Sequence, residues 1–137
     1  DGAGLFSAAR VWWLFKLMGK KDVSVLDGGF PKWLKEGHPQ DNQPVTLRDK
    51  HFTASFTGAL VKNVTQVSAA SKLGDHTIID ARDADRFKGK AAEPRAGLRA
   101  GHIPGSTNLH YKELLNDDGT MKNKDSLQAY INSKISK

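Results

Sequence analysis

The first regular pattern in the chain is a set of apolar residues spaced three and four apart among polar ones. The residues with this spacing are Val11, Leu14, Phe15 and Met18. This period is typical of one face of an amphipathic helix, so we predict a helix from about Ala8 to Met18. Ser7 before it is a suitable capping residue, and Gly19 after it is a suitable stop.

A short β-rich run follows the first helix. Residues 23–26, Val-Ser-Val-Leu, predict a buried strand, and residues 27–29, Asp-Gly-Gly, predict a tight loop after it. A second helix is predicted from Pro31 to Glu36, with Trp33 and Leu34 facing inward, because proline suits a first helical turn. The order helix, strand, helix is typical of an α/β protein.

The pattern weakens between about residues 40 and 63, where polar and turn-forming residues dominate. A long connection without regular structure is uncommon inside a compact domain. We therefore predict a linker at residues 41–63, which separates a first section at residues 1–40 from a second at residues 64–137.

Periodic structure begins again after this linker. Thr65 is expected to cap a helix that runs through Leu73, and residues 77–79, Thr-Ile-Ile, predict a buried strand that ends at Asp80. The remaining predicted elements are a helical turn at 84–87, a polar loop at 88–101, a short strand at 106–109, a helical turn at 111–115 and a helix after Asn123.

Composition limits the classes of function. The 137 residues include no cysteine, so the chain has no disulfide, zinc-thiolate site or cysteine nucleophile of its own. Its 21 Lys and Arg residues and 15 Asp and Glu residues give a formal charge of +6, but the basic residues are scattered, which argues against nucleic-acid binding. No apolar run approaches the roughly 20 residues of a membrane span. We expect no nucleic-acid partner, no membrane insertion and no cofactor.

Several motifs have the order and spacing of a known family. They are Ile79-Asp80-Ala81-Arg82, then Arg86-Phe87, then Gly-His-Ile-Pro-Gly-Ser-Thr-Asn at residues 101–108. In this order they resemble the opening half of a rhodanese domain. Residues 6–13, Phe-Ser-Ala-Ala-Arg-Val-Trp-Trp, and residues 25–33, Val-Leu-Asp-Gly-Gly-Phe-Pro-Lys-Trp, resemble the closing half of another.

The resemblance implies a tandem, two-domain rhodanese-type sulfurtransferase, of which this chain is the middle. The expected fold is α/β, a parallel sheet flanked by helices, with the closing half of one domain at residues 1–40 and the opening half of the next at 64–137. We expect the chain to be a fragment that is inactive alone, because the family's cysteine would lie beyond Lys137. The resemblance places Asp1 at the position of a degenerate first-domain loop, with a structural or vestigial role. The compartment expected for the family is the cytoplasm, or the mitochondrion in a eukaryote.

The resemblance also implies the reaction and the partners. Such enzymes move sulfane sulfur from 3-mercaptopyruvate or thiosulfate to a thiol or cyanide acceptor through a cysteine persulfide. In the mercaptopyruvate-using branch, two arginines nine residues apart bind the small anionic donor, and the second belongs to a Glu-Pro-Arg segment. Arg86 and Arg95 match this arrangement and are the candidate substrate-binding residues. The match favours 3-mercaptopyruvate over thiosulfate.

Other polar residues near these motifs have structural interpretations. Arg82 is expected to pair with Asp80 or a loop carboxylate, His102 to fix a bend through backbone hydrogen bonds, and residues 28–29, Gly-Gly, to form a tight turn without binding phosphate. A non-catalytic rhodanese-like binding module is the alternative function. A phosphatase of related fold is a third, against which the two arginines argue. Half-domains are also expected to expose apolar edges and to be marginally stable, and the oligomeric state is left open.

Overall fold

The computed structural model of the chain describes residues 1–3 and 5–135. They divide into two compact units, one formed by residues 1–61 with 117–120, the other by residues 62–116 with those from Met121 onward. The elements, in chain order, are α1 Ala8–Leu17, α2 Gly29–Lys35, a 3-10 helix Gly58–Leu60, α3 Val64–Leu73, β1 Ile79–Asp80, α4 Ala84–Phe87, β2 Thr107–Asn108, a 3-10 helix Tyr111–Leu114 and α5 Lys124–Lys134. None of the described helices is long and apolar enough to cross a membrane.

Helix α1 has the predicted extent but a different cap. The Ser7 hydroxyl does not cap the helix but donates to Asp1 Oδ2. The same carboxylate oxygen accepts from the backbone N–H groups of Ser7 at 2.9 Å and Ala8 at 2.8 Å. A carboxylate suits this place because the first N–H groups of a helix lack partners and the helix dipole favours negative charge there. Gly19, with φ +86°, follows the helix in the left-handed conformation expected of a glycine stop.

Helix α2 begins earlier than predicted, at Gly29 rather than Pro31. Trp33 is half-buried, and its Nε1 donates to the carbonyl oxygen of Pro39 at 3.0 Å. Leu34 is exposed, so the prediction that it faces inward was wrong. Consecutive helical residues point about 100° apart, and in this short helix the packed face is the one that carries Trp33.

The strand predicted at residues 23–26 is not formed. A strand needs a neighbour that accepts its N–H groups and donates to its carbonyls. No such neighbour pairs with residues 23–26 in the described part of the chain, and Leu26 is exposed. The segment is instead bound to helix α1, where Trp12 Nε1 donates to the Val23 carbonyl oxygen at 3.1 Å.

Helix α3 starts the second unit with a reciprocal cap. The Asn63 side chain accepts from the Gln66 N–H, and the Gln66 side chain accepts from the Asn63 N–H, both at 2.9 Å. The two side chains therefore satisfy two free donors at once. Thr65, which was predicted to be the cap, lies inside the helix because the cap two residues earlier already fixes its start.

The second unit contains a parallel pair of short strands. Ile79 is opposite Thr107 and Asp80 is opposite Asn108. The strands lie where the sequence predicts them but are shorter, and Ile79 is exposed rather than buried. A parallel sheet is normally buried on both faces, whereas the residues of these strands are exposed or half-buried.

Few apolar side chains are buried. Among the described residues the buried hydrophobic ones are Leu17 and Leu109, each 5% exposed. The large apolar residues that are most exposed are Phe6, Val45, Leu47, Val64 and Leu73. Both units therefore present apolar surface that a fully covered α/β domain would bury.

Candidate functional site

Helix α4 places Arg86 just after the carboxyl end of β1. Asp83 caps this helix, since its Oδ1 accepts from the N–H groups of Asp85 at 3.1 Å and Arg86 at 2.9 Å. The cap fixes the first helical turn directly after the strand. Ligands of α/β proteins bind at the carboxyl ends of strands, so Arg86 lies at a position suited to binding.

Arg82 joins the end of β1 to two loops. Its Nε and Nη2 donate to the Asp80 carboxylate, the shortest contact being 2.6 Å, and its Nη1 donates to Glu93 Oε1 at 2.7 Å. Its Nη2 also donates to the carbonyl oxygen of Gly101 at 2.7 Å. Arg82 was predicted to pair with Asp80 or a loop carboxylate; the prediction is confirmed, and both pairs are formed.

Glu93 connects this pair to Arg86. Its Oε2 accepts from Arg86 Nη2 at 2.5 Å, while its other oxygen accepts from Arg82. The Glu93 side chain is only 5% exposed, whereas that of Arg86 is 29% exposed. Arg86 Nε is buried and has no hydrogen-bond partner among the described residues. Arg86 is thus held at one end of its guanidinium and is partly open to solvent.

Both carboxylates of this cluster are acidified by their partners. Hydrogen bonding from Arg82 is the largest cause that lowers the pKa of Asp80 below its ordinary value. Hydrogen bonding from Arg86 is the largest cause that lowers the pKa of Glu93. Because hydrogen bonds to the charged form favour ionisation, both groups are negative near neutral pH and balance the two arginines.

These lowered pKa values predict acid sensitivity of the unit. A carboxylate whose pKa is lower in the folded than in the unfolded state stabilises the fold at pH values above its unfolded pKa, which is about 3.9 for Asp and 4.3 for Glu. This stabilisation is lost as the pH falls through the folded pKa. We expect the unfolding temperature to decrease when the pH is lowered below about 4. The Asp80→Asn variant should be less stable at pH 7 and converge with the unmodified protein at low pH. A constant difference between their melting curves across the pH range would contradict the pairing.

Arg95 lies apart from the cluster. It is exposed in the loop between α4 and β2, and no hydrogen bond or ion pair joins it to another residue that the structure describes. Its backbone position is nevertheless constrained, because Glu93, two residues before it, is tied to Arg82 and Arg86. The structure therefore fixes Arg86 and leaves the side chain of Arg95 free.

The bend before β2 is held by hydrogen bonds to the backbone. His102 Nδ1 lies 2.7 Å from the carbonyl oxygen of Phe87, and the two rings stack with centroids 3.8 Å apart. Ser71 Oγ donates to the carbonyl oxygen of Pro104 at 2.6 Å. The structural role predicted for His102 is confirmed, since this contact ties the bend to the end of α4.

Two residues of the site region were missed from the sequence. Asn108 Nδ2 donates to the carbonyl oxygens of Asp80 at 3.1 Å and Arg82 at 2.7 Å, so the second strand supports the loop that carries Arg82. Glu93 was noted only as part of a motif. Its signal in the sequence was that it is the only acidic residue between Lys88 and Gly101.

The glycine pair of the first unit forms the expected tight turn. Gly28 and Gly29 have φ values of +76° and +60°. A Cβ on Gly29 would lie 2.5 Å from the backbone oxygen of Asp1, so a larger residue does not fit there. Asp1 has a structural role, because its carboxylate accepts from the first N–H groups of helix α1 and its carbonyl oxygen accepts from the Phe30 N–H at 3.1 Å.

The chemistry available to the arginine cluster is binding of a small anion. Its two arginines are balanced by Asp80 and Glu93, and Arg95, two residues after Glu93 in the sequence, is a cation without a partner among the described residues. A guanidinium pairs two oxygens of a carboxylate with its planar fork. No group of three or more His, Cys, Asp or Glu in the described ranges could hold a metal ion.

Comparisons with known proteins find sulfurtransferases among the relatives of this chain. Thiosulfate sulfurtransferase of Bos taurus is 39% identical over 135 residues, which are 98% of this chain and 46% of the relative. The 3-mercaptopyruvate sulfurtransferase of Escherichia coli K12 is 41% identical over 129 residues, which are 94% of this chain and 46% of the relative. The chain thus spans about half the length of the curated relatives it matches.

Solved structures agree with these relatives. The crystal structure of SseA, a 3-mercaptopyruvate sulfotransferase of Escherichia coli with the rhodanese fold, matches with a TM-score of 0.85 and 36% identity over 98% of this chain and 49% of that one. A sulfur transferase subunit of yeast mitochondrial complex I matches with a TM-score of 0.80 and 31% identity over 96% of this chain and 50% of that one. The rhodanese-like domain family matches residues 63–136, more than half of the 137 residues, and the chain therefore belongs to that family.

Proposed function

We propose that this chain is the junction of a two-domain sulfurtransferase. Residues 1–40 would close the first rhodanese-like domain, residues 41–63 would link the domains, and residues 64–137 would open the second. The proposal is supported by sulfurtransferase relatives that match nearly the whole chain over about half of their own length.

The proposed reaction moves sulfur from 3-mercaptopyruvate, or from thiosulfate, to a thiol or cyanide. A cysteine thiolate attacks the donor sulfur, the bond between that sulfur and the rest of the donor breaks, and a persulfide remains on the enzyme. With 3-mercaptopyruvate the carbon fragment takes up a proton and leaves as pyruvate. The acceptor then removes the outer sulfur and restores the thiolate. The cysteine must come from outside residues 1–137, which contain none.

The proposed role of this chain is to hold the donor's carboxylate. The observation that carries the proposal is that Arg86 is anchored after β1 by Glu93, whereas Arg95, nine residues later, is exposed without a partner in the described structure. A fixed guanidinium orients one end of a small anion, and a second closes on it from the loop. The preference for 3-mercaptopyruvate over thiosulfate rests on the spacing of Arg86 and Arg95, which matches the mercaptopyruvate-using branch of the family.

Removal of the free arginine tests this role. Arg95→Ala in the full-length protein that contains this chain is expected to raise the KM for 3-mercaptopyruvate roughly tenfold and to change kcat little, because binding is lost without loss of the reacting groups. The control is Arg99→Ala, which removes an equally exposed arginine from the same loop. Steady-state sulfide release, with a dithiol in excess that accepts the sulfur and reduces it to sulfide while being oxidised to its disulfide, measures both constants. Equal KM values for the two variants would refute a specific role of Arg95.

The alternative function is a binding module without sulfur transfer. The two functions differ in whether the full-length protein carries the cysteine, since residues 1–137 contain none in either case. Without that cysteine the full-length protein would bind 3-mercaptopyruvate or another small carboxylate and release no sulfide. The assay above separates the two functions.

A further inference from the structure

Glu93 occupies the centre of the arginine cluster. Its two carboxylate oxygens are divided between two guanidinium groups, at 2.7 Å for Arg82 and 2.5 Å for Arg86. With 5% of its side chain exposed, it is the least exposed charged group of the cluster. A charge that is largely shielded from water is stable only when it is paired and hydrogen-bonded, so the carboxylate and the two arginines constrain one another's positions.

The contact fixes one end of the Arg86 guanidinium. Its Nη2 is bound to Glu93, whereas Nε has no partner in the described structure. Rotation of the side chain would break the short bond to Glu93 Oε2 and leave the carboxylate with Arg82 as its remaining donor, on Oε1. The bond from Nη2 therefore fixes the orientation of the planar Arg86 guanidinium.

The same residue also anchors the loop that carries Arg95. Glu93 is bound to the strand end through Arg82, and Pro94 links it to Arg95. Proline restricts the backbone between the two, because its ring fixes φ. Glu93, which lies outside any helix or strand, is thus bound to Arg86 and stands two residues before Arg95 in the chain.

We propose that Glu93 is a positioning residue for substrate binding: it orients the guanidinium of Arg86 and holds the loop segment that presents Arg95. This inference rests on the proposed function. Glu93 touches no substrate in this scheme and acts through the two arginines. A merely structural carboxylate would affect stability alone, whereas a positioning one affects the KM for the donor.

The test is Glu93→Gln in the full-length protein, which keeps the shape of the side chain and removes its charge. We expect the KM for 3-mercaptopyruvate to rise roughly tenfold, with kcat within about twofold, because a neutral acceptor holds two guanidinium groups less firmly than a carboxylate does. Glu113→Gln is the matched control, since it makes the same replacement at an exposed glutamate of the same unit. An unchanged KM for Glu93→Gln would overturn the proposal.

A double-variant cycle shows whether Glu93 acts through Arg86. In an Arg86→Ala background, Glu93→Gln should add much less than its effect alone, because residues that act as a unit are not additive. The same tenfold effect in both backgrounds would overturn a role through Arg86. If Arg86→Ala itself leaves the KM unchanged, the proposed function fails and the inference fails with it. If Arg86→Ala raises the KM and Glu93→Gln does not, only the inference fails.

A second substitution covers the case in which Glu93→Gln does not fold. Glu93→Asp keeps the charge but withdraws the carboxylate by one methylene. We expect it to raise the KM for 3-mercaptopyruvate by about threefold, because its oxygens cannot reach both arginines equally well. A KM equal to that of the unmodified protein would contradict the positioning role.

Discussion

Replacement of Arg86 by alanine is expected to lower kcat/KM for 3-mercaptopyruvate on the order of 100-fold. Arg86 is the arginine that the fold holds in place, after the capped start of α4 and against Glu93. Its loss would remove the preset half of the donor site and leave Glu93 paired with Arg82 alone. We therefore expect this to be the single substitution with the largest effect on kcat/KM.

Two companion variants separate geometry from charge at this position. Arg86→Lys keeps the charge but not the planar fork, so it should recover only a small part of the activity. Lys88→Ala removes an exposed cation two residues away and should leave kcat/KM within about twofold of the unmodified value. If Arg86→Lys were fully active, two-point recognition by the fork would be excluded.

Replacement of Arg82 by methionine should have the largest effect on stability. Arg82 is bound to Asp80, Glu93 and the carbonyl oxygen of Gly101, so its loss leaves two largely buried carboxylates short of a cation. Removal of one partner of a buried ion pair destabilises the fold by more than the intact pair stabilises it, because the remaining charge is not compensated. We expect the unfolding temperature to fall by roughly 5 °C or more.

The stability prediction has a control in the same loop. Arg99→Met makes the same replacement at an exposed arginine and should leave the unfolding temperature nearly unchanged. Thermal unfolding followed by circular dichroism compares the two variants. Equal melting temperatures would mean that the bonds of Arg82 contribute little to the fold.

The helices were largely predictable because their signals are local. The spacing of Val11 and Leu14 with Gly19 marked α1, and Asn123 marked the start of α5, where its side chain accepts from the Ser126 N–H at 2.9 Å. The predicted cap was wrong where another residue, either farther away in the sequence or better placed, caps the helix. Asp1 reaches α1 from six and seven residues away, and Asn63 precedes the predicted cap of α3.

The strands were less predictable because pairing and burial depend on distant residues. Residues 23–26 have the composition of a buried strand, yet no neighbouring strand pairs with them in the described structure. Ile79 does pair with β2 but remains exposed, since pairing does not cover the face of a sheet. Composition alone cannot show whether the covering layer is present.

The site was predictable only in part. The roles of Arg86 and Arg95 came from resemblance and remain predictions, although the structure places Arg86 at a strand end. The contacts of Glu93 span 7 and 11 residues, and those of Asn108 span 28 and 26. Such contacts depend on how the loops fold back onto β1, which no local pattern specifies.

The most direct test is sulfide release from 3-mercaptopyruvate by the full-length protein that contains this chain, measured beside the Arg86→Ala/Arg95→Ala double variant. If the two arginines hold the donor's carboxylate, the unmodified protein releases sulfide with saturation kinetics. The double variant then loses more of its kcat/KM than either single variant, while its fold, followed by circular dichroism, is retained. Absence of sulfide release by the unmodified protein, or kcat/KM retained by the double variant, would contradict the proposed role of this chain.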